Sequence, residues 1–255
     1  MDDLVSIITP AYNCSATIAE TIESVLYQSY SKWELLIVDD CSSDDTVDIV
    51  STYAQKDKRI KLIRMTQNSG SAAARNTAIQ NANGRFLALL DSDDLWKPKK
   101  LECQLNFMLE NGHSFSFTAY DVFRVSSDGH RKIFEAPQKI TYYQYLSNSI
   151  IGCLTVMIDK EQIPDFHMES GDLEDVLTWM HYLRRGYVAY GLNENLAGYR
   201  VSTASKSANK IQNALRYYQC LKQQENIGLL KRFCCHCGYV YNATKKRIFA
   251  KRTDG

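Results

Sequence analysis

At 255 residues the chain is long enough for one sizeable domain, or for a compact domain carrying an appendage. Its 45% hydrophobic and 23% charged residues are ordinary for a soluble globular protein, and no run approaches the roughly 18 uninterrupted apolar residues of a membrane span. The net charge of +1 hides an asymmetry: Lys206 to Gly255 holds eleven Lys and Arg against Glu225 and Asp254, a local +9 that leaves −8 on the rest. A basic tail on an acidic body suits an anionic partner, lipid before nucleic acid, although a solubilising tail has the same charge.

Met1-Asp2-Asp3 is acidic and leads straight into a strand-like stretch, which is not the pattern of a signal peptide. Eight cysteines without an export signal are then expected as reduced thiols in the cytoplasm.

In chain order, Leu4–Thr9 is a short apolar run that predicts a first strand. A helix follows with Ile18, Ile22, Val25 and Leu26 on one face, opened by Thr17 and Glu20 at capping-box spacing. Trp33–Val38 predicts a second buried strand, and a helix from Asp44 places Val47, Val50 and Ala54 together. Ile60–Met65 is a third strand, Ser71–Ala82 a helix and Arg85–Leu90 a fourth strand. This alternation implies βαβ units, a mostly parallel Rossmann-like sheet and helices on both faces. Beyond it, Lys97–Glu110 is expected as helix, Ser114–Tyr120 and Ile150–Ile158 as extended chain, and Leu173–Arg184 as a helix stopped by Gly186. From Ser207 the pattern is mostly helical, and no Pro/Gly/Ser linker or internal repeat divides the chain. The expected organisation is an α/β domain over 1–205, with a nucleotide-binding half at 1–95 and an acceptor-binding half at 96–205, followed by a basic helical extension at 206–255.

In an open parallel sheet, ligands bind beyond the carboxyl ends of the strands. Strand one runs into Pro10-Ala11-Tyr12-Asn13, strand two into Asp39-Asp40-Cys41-Ser42-Ser43-Asp44-Asp45, and strand four into Asp91-Ser92-Asp93-Asp94. Three strand ends thus bring polar groups to one rim. Two carboxylates one residue apart after a buried strand, Asp91 and Asp93, suit Mg²⁺ or Mn²⁺, which take oxygen ligands and neutralise a departing diphosphate. A bare D-x-D is common by chance, and its place after Phe86–Leu90 is what gives it weight. Asp40 is positioned to accept the N3–H of uracil, with Asp39 supporting the ribose or the loop. Asp44 suits helix capping, and Tyr12 either stacks on the base or joins the core. Arg75, a cation in a first helical turn, needs an anion: a diphosphate, one of the aspartates, or a structural ion pair. Glu174-Asp175 lies where a helix begins, and Asp175 is the candidate base for an acceptor hydroxyl. Cys234-Cys235-His236-Cys237 offers four ligand types, but adjacent residues cannot all wrap one tetrahedral ion, so buried thiols or an interfacial patch are favoured over zinc.

Taken in order, Val5–Asn13, Glu34–Thr46, Gly70–Asn76, Gly84–Asp94 and Glu174-Asp175 resemble the family 2 glycosyltransferases, an inverting group with the GT-A nucleotide-diphosphosugar fold. The resemblance covers roughly the first 200 residues and is specific as a set, each motif alone being weak. It implies that Pro10, Ala11, Tyr12 and Asp40 hold uracil, that Asp91 lies at the ribose and diphosphate, that Asp93 binds Mn²⁺ or Mg²⁺, and that Asp175 is the base; Asp39, Arg75 and Ser92 are further candidates for nucleotide contacts from their place at the strand ends. Glu174, Arg200 and Ser205 are candidates for acceptor or loop contacts.

The segment after Tyr199-Arg200 departs from many relatives: Val201–Ser205 keeps a serine but has no histidine, which leaves a further metal or diphosphate contact from it unsupported. The Q-x-x-R-W element of processive synthases is absent, so a single sugar is expected to be added to a saccharide acceptor, on a polyprenyl diphosphate in bacterial surface-polysaccharide relatives. The expected donor is a UDP-sugar, and nucleic acid is not an expected partner. Lys245–Arg252 would rest on an anionic leaflet, making the protein peripheral on the inner face of the membrane. Two rival classes fit less well: a nucleotidyltransferase needs a glycine-rich basic loop where Thr9–Asn13 stands, and a catalytically degenerate interaction module would have lost Asp91, Asp93 or Asp175.

Overall fold

Strands β1 (Val5–Ala11), β2 (Trp33–Asp39) and β4 (Phe86–Leu89) are buried along their whole length. A sheet tolerates that only when both of its faces are covered. In the computed structural model, which describes residues 3–123, 131–201, 210–249 and 251–253, helices provide the cover. One face, with Ile7, Leu35, Ile37 and Ala88, packs against α1 (Ile18–Leu26), α2 (Thr46–Lys56) and α4 (Lys100–Asn111). The other, with Ile8, Leu36, Val38 and Leu89, packs against α3 (Ser71–Gln80) and α6 (Glu174–Arg184).

The parallel part of the sheet runs β4-β1-β2-β3, with β3 at Ile60–Arg64. Beyond β4 the order continues through β9 (Met157–Asp159), β6 (Phe115–Phe123), β7 (Arg131–Phe134) and β11 (Lys251–Thr253), each antiparallel to its neighbour. The longest strand, β10 (Ala189–Arg200), runs parallel to β6 and also carries the two-residue strands β5 (Leu95–Trp96) and β8 (Lys139–Ile140). Helix α5 (Tyr142–Tyr145) is a single turn. In the C-terminal region, α7 (Lys210–Lys222) packs against α8 (Leu229–Phe249). The extension shares the core of the domain: Tyr217 is fully buried on the α3/α6 face and its hydroxyl donates to the Tyr145 carbonyl at 3.0 Å.

Four local expectations change. The stretch Ile150–Ile158 is not all extended: Cys153–Thr155 forms a 3-10 turn, which the Thr155 hydroxyl closes by donating to the Gly152 carbonyl at 2.6 Å. Strand β10 was hidden in the sequence because its pairing with β6 slips between Leu192 and Ala197, and the intervening Asn193-Glu194-Asn195 has the composition of a turn. Among the described residues the tail holds two helices, the second ending at Phe249, but Lys251–Thr253 rejoins the sheet along β7. Thr17 precedes α1 without making a capping box, its hydroxyl being used elsewhere.

Gly84 shows how tightly β4 meets β1. A Cβ there would lie 2.5 Å from the Leu4 carbonyl oxygen and 2.8 Å from the Ser6 nitrogen, both backbone atoms that cannot swing away. Gly84→Ala is therefore expected to lower stability by about 1–3 kcal/mol, the usual range for overpacking. Urea denaturation would register this as a lower midpoint with an unchanged slope.

Candidate active site

The parallel strands end together, and their loops are tied to one another. After β1, Asn13 adopts a left-handed conformation (φ 46°), and Cys41 does the same after β2 (φ 65°). Such backbone persists in a non-glycine residue only where its surroundings hold it. Here the Asn13 N–H donates to the Ser42 hydroxyl at 3.0 Å, and the Asn13 side-chain oxygen accepts the Ser43 N–H at 2.8 Å. Pro10 and Ala11 are buried as the last residues of β1, whereas Tyr12 is 53% exposed and therefore a rim residue rather than core.

Asp39 and Asp40 are only 1% and 3% exposed. Asp39 accepts the Ser42 N–H at 3.2 Å and so shapes its own loop. Asp40 accepts the Ser69 N–H at 2.7 Å on one oxygen and the Gly70 N–H at 2.8 Å on the other. It thereby holds the turn that starts α3, where Gly70 sits at φ +88°. Each Asp40 oxygen keeps a second lone pair. Asp44 joins the β1 loop to α2: its carboxylate accepts the Thr46 N–H at 3.1 Å and the Ser15 N–H at 3.0 Å.

The Asp91–Asp94 turn is clamped from two sides. The hydroxyls of Thr17, just before α1, and Thr21, on it, donate to the Ser92 carbonyl at 2.9 and 3.1 Å, and Thr21 also reaches the Asp94 carbonyl at 2.9 Å. From the end of β10, Arg200 donates through Nε to the Asp93 carbonyl at 2.7 Å, and through its N–H to the Asp94 carboxylate at 2.8 Å. Its guanidinium also pairs with Glu20 at 2.5 Å. Arg200 is thus a brace for the acidic turn. Asp94 is fully buried, and desolvation, then the charges of Asp91 and Asp93, push its carboxyl well above the usual range.

Arg75 joins the acidic turn to α6. Its buried guanidinium donates to Asp91 at 2.5 Å and to Glu174, whose carboxylate also accepts the Ser71 hydroxyl at 2.5 Å. Of the alternatives open for Arg75, the protein itself supplies the anions: one aspartate and one glutamate. Asp175, next to Glu174, is raised to about 6, first by desolvation and against the lowering effects of the Val176 N–H and Arg75. A carboxyl with that pKa is poised to accept a proton near neutral pH.

The donor set suits a hard divalent cation. Asp91 and Asp93 lie on one turn, Asp93 makes no ion pair among the described residues, and burial together with the Asp91 charge raises its pKa. That is an unneutralised carboxylate of the sort a cation relieves. No three His, Cys, Asp or Glu side chains among the described residues converge on one point, so an ion here would take most of its oxygens from substrate and water, as Mg²⁺ and Mn²⁺ ordinarily do. Within the Cys234–Cys237 run, Cys234 and Cys237 are exposed and Cys235 is buried, so the thiols splay around α8. Ser205 lies outside the described residues, as do the side chains of most of Lys245–Arg252.

Sequence reasoning did not find Thr17, Thr21, Glu20 and Ser71. The T-x-x-E spacing was visible but pointed to a local cap, whereas Thr17 and Thr21 reach loop atoms 71 to 75 residues away. Removing Arg75 would leave Asp91 and Glu174 facing each other half-buried and unpaired. Arg75→Ala is expected to destabilise the protein by about 3 kcal/mol, as for breaking other buried pairs. Thermal unfolding, compared with an Arg185→Ala control at the exposed pair with Asp165, is the measurement.

Comparison with known proteins bears on the family and the fold. The model of glycosyl transferase family 2 matches residues 6–158. TuaG of Bacillus subtilis (strain 168), a glycosyltransferase assigned to teichuronic acid biosynthesis, is 45% identical over 246 residues, covering 96% of this chain and 98% of its own. WfgD of Escherichia coli, a UDP-Glc:alpha-D-GlcNAc-diphosphoundecaprenol beta-1,3-glucosyltransferase, is 43% identical over 252 residues, covering 98% and 97%. Among solved structures, the mannosyltransferase PcManGT from Pyrobaculum calidifontis, in complex with GDP-Man and Mn²⁺, aligns with a TM-score of 0.70 at 19% identity over 95% of this chain and 70% of that one. Among the described residues no helix is long and apolar enough to cross a membrane. A sheet that switches from parallel to mixed beyond β4, with acidic turns at its strand ends and relatives of this likeness over nearly the whole chain, belongs to glycosyltransferase family 2 with the GT-A fold.

Proposed function

We propose that this glycosyltransferase is inverting and metal-dependent, and that it moves one hexose or N-acetylhexosamine from a UDP-sugar to a hydroxyl of a polyprenyl-diphosphate-linked saccharide during surface-polysaccharide assembly. The observation that carries the reading is the pairing, through Arg75, of the Asp91–Asp93 turn with the Glu174-Asp175 helix start. One arginine holds the leaving-group side and the base side in a single frame. Inversion needs those two functions on opposite faces of the sugar.

The uracil is placed against Tyr12, with Pro10 and Ala11 at its edge and a free lone pair of Asp40 accepting N3–H. Asp39 and Ser92 support the ribose. Asp93 would hold the divalent ion, Mn²⁺ or Mg²⁺, with Asp91 beside it at the ribose and diphosphate; the ion when bound neutralises charge on the departing diphosphate. Asp175 accepts the proton of the acceptor hydroxyl as its oxygen attacks the anomeric carbon and the bond to the diphosphate breaks. Arg75 keeps Glu174, and with it the first turn of α6, in register during the step. The reading of donor and acceptor draws support from the names of relatives: WfgD takes glucose from UDP to a GlcNAc-diphosphoundecaprenol in beta linkage. A lipid-linked acceptor confines the work to the inner face of the cell membrane, where the basic run Lys245–Arg252 matches anionic lipid.

The test is UDP release from a panel of UDP- and GDP-sugars, with and without a GlcNAc-diphosphate-lipid analogue. Turnover is expected only with a UDP-sugar and Mn²⁺ or Mg²⁺, abolished by EDTA and by Asp93→Ala. Release of GDP in preference to UDP would reject the donor assignment, and undiminished turnover in EDTA would reject the metal.

Asp175→Asn should lower kcat at least about 100-fold while leaving donor affinity nearly unchanged, as for loss of a general base. Because the acting form of Asp175 is the carboxylate and its pKa is about 6, the wild-type rate should fall tenfold per pH unit below that value and level off above it. A flat profile down to pH 5 would assign the base elsewhere.

A further inference from the structure

Helix α8 turns an apolar face outward. Leu229, Leu230, Phe233, Val240 and Tyr241 are between 43% and 79% exposed, and Cys237 is exposed beside them. At 3.6 residues per turn these positions span an arc of roughly 120° along more than three turns. Scattered exposed leucines need no explanation, but a continuous stripe of this length does. The opposite side of the helix is the one that packs: Cys235 is buried, Tyr239 stacks on Tyr217 with ring centroids 3.8 Å apart, and the Asn242 side chain donates to the Ser147 carbonyl at 2.9 Å.

Charge says what covers the outward face. Between Lys210 and Phe249 there are eight Lys and Arg and one acid, Glu225, and α8 itself contains Lys231, Arg232, Lys245, Lys246 and Arg247 with no acid at all. On the helical wheel Lys231 and Lys245 fall to one side of the apolar stripe and Arg232 to the other. A second copy docking through a two-fold axis would set these cations against their own duplicates, with no carboxylate on α8 to offset them. An anionic lipid surface meets both demands, burying the stripe and pairing the basic flanks.

We propose that α8 lies flat in the interface of an anionic membrane, with Leu229, Leu230, Phe233, Val240 and Tyr241 among the upper acyl chains and the flanking Lys and Arg at phosphate level. This places the anchor on the folded helix itself, ahead of the basic terminal run. The assignment rests on the reading of a membrane-held acceptor for its purpose, while its test does not depend on catalysis.

The full-length protein is mixed with vesicles of phosphatidylcholine alone, or of phosphatidylcholine with phosphatidylglycerol, and the bound fraction is measured by flotation. Binding is expected to the anionic vesicles, with a part that survives raised salt because it is apolar. Leu230→Asp with Phe233→Asp should weaken binding at least tenfold. These positions stand in solvent, so the variant should keep its circular dichroism spectrum and its UDP release from donor alone. Lys245→Gln with Lys246→Gln and Arg247→Gln should lower only the salt-sensitive part. Unchanged binding by the Leu230/Phe233 variant, or no binding by the wild type, would overturn the proposal. So would a wild-type dimer that the same variant converts to monomer without any vesicle binding, since the stripe would then belong to a second copy. Absence of UDP release from every donor would count against the enzymatic reading and leave the vesicle result standing.

Discussion

The site depends on where one guanidinium is buried. Arg75 enters the protein on the first turns of α3 and must be compensated there, because an unpaired charge out of water is costly. Its partners come from two other elements: Asp91 beyond β4 and Glu174 at the start of α6. Three pieces of chain separated by up to 99 residues are thereby fixed at one point. The neighbours of these residues, Asp93 and Asp175, inherit their positions from it. Raised carboxyl pKa values at Asp93, Asp94 and Asp175 follow first from burial and then from the crowding of acids around limited positive charge.

Around that point the fold supplies stiffness by hydrogen bonding to main chain rather than by side-chain ion pairs at the surface. Thr17, Thr21 and Arg200 bond to carbonyls of the acidic turn, and Asp40 bonds to amides of the turn before α3. Backbone atoms are thus held directly, while the Asp91 and Asp93 carboxylates stay at the partly exposed surface of the turn. Hydrogen bonds in which one partner is ionised are the stronger kind, and three of these contacts involve Asp40 or the Arg200 guanidinium.

The parallel half was legible from sequence because a strand buried on both faces is a plain apolar run, as Val5–Thr9 and Glu34–Val38 nearly are. The acidic motifs were legible for the same reason: each follows its strand directly. What stayed hidden depends on distant partners. β10 carries glycines and an Asn-Glu-Asn interruption, and pairs along most of its length with β6, more than seventy positions earlier. Arg200 stands out in the sequence as a candidate acceptor or loop contact, but its job as a brace lies in contacts with Asp93 and Asp94 over a hundred residues back. Asp40 was read as facing a base, and its commitment to Ser69 and Gly70 could not be inferred from spacing, since both functions call for a carboxylate at a strand end.

The return of Lys251–Thr253 to pair with β7 has a topological consequence. The excursion made by α7 and α8 begins at the sheet, after Arg200, and ends at the sheet, so it is a closed arm rather than a dangling tail. β11 is also the outermost strand on that side and shields the amide and carbonyl row of β7. A proteolytic cut near residue 250 would do two unrelated things at once: release one end of the arm, and lay bare a strand edge of the type through which β-proteins stick to one another.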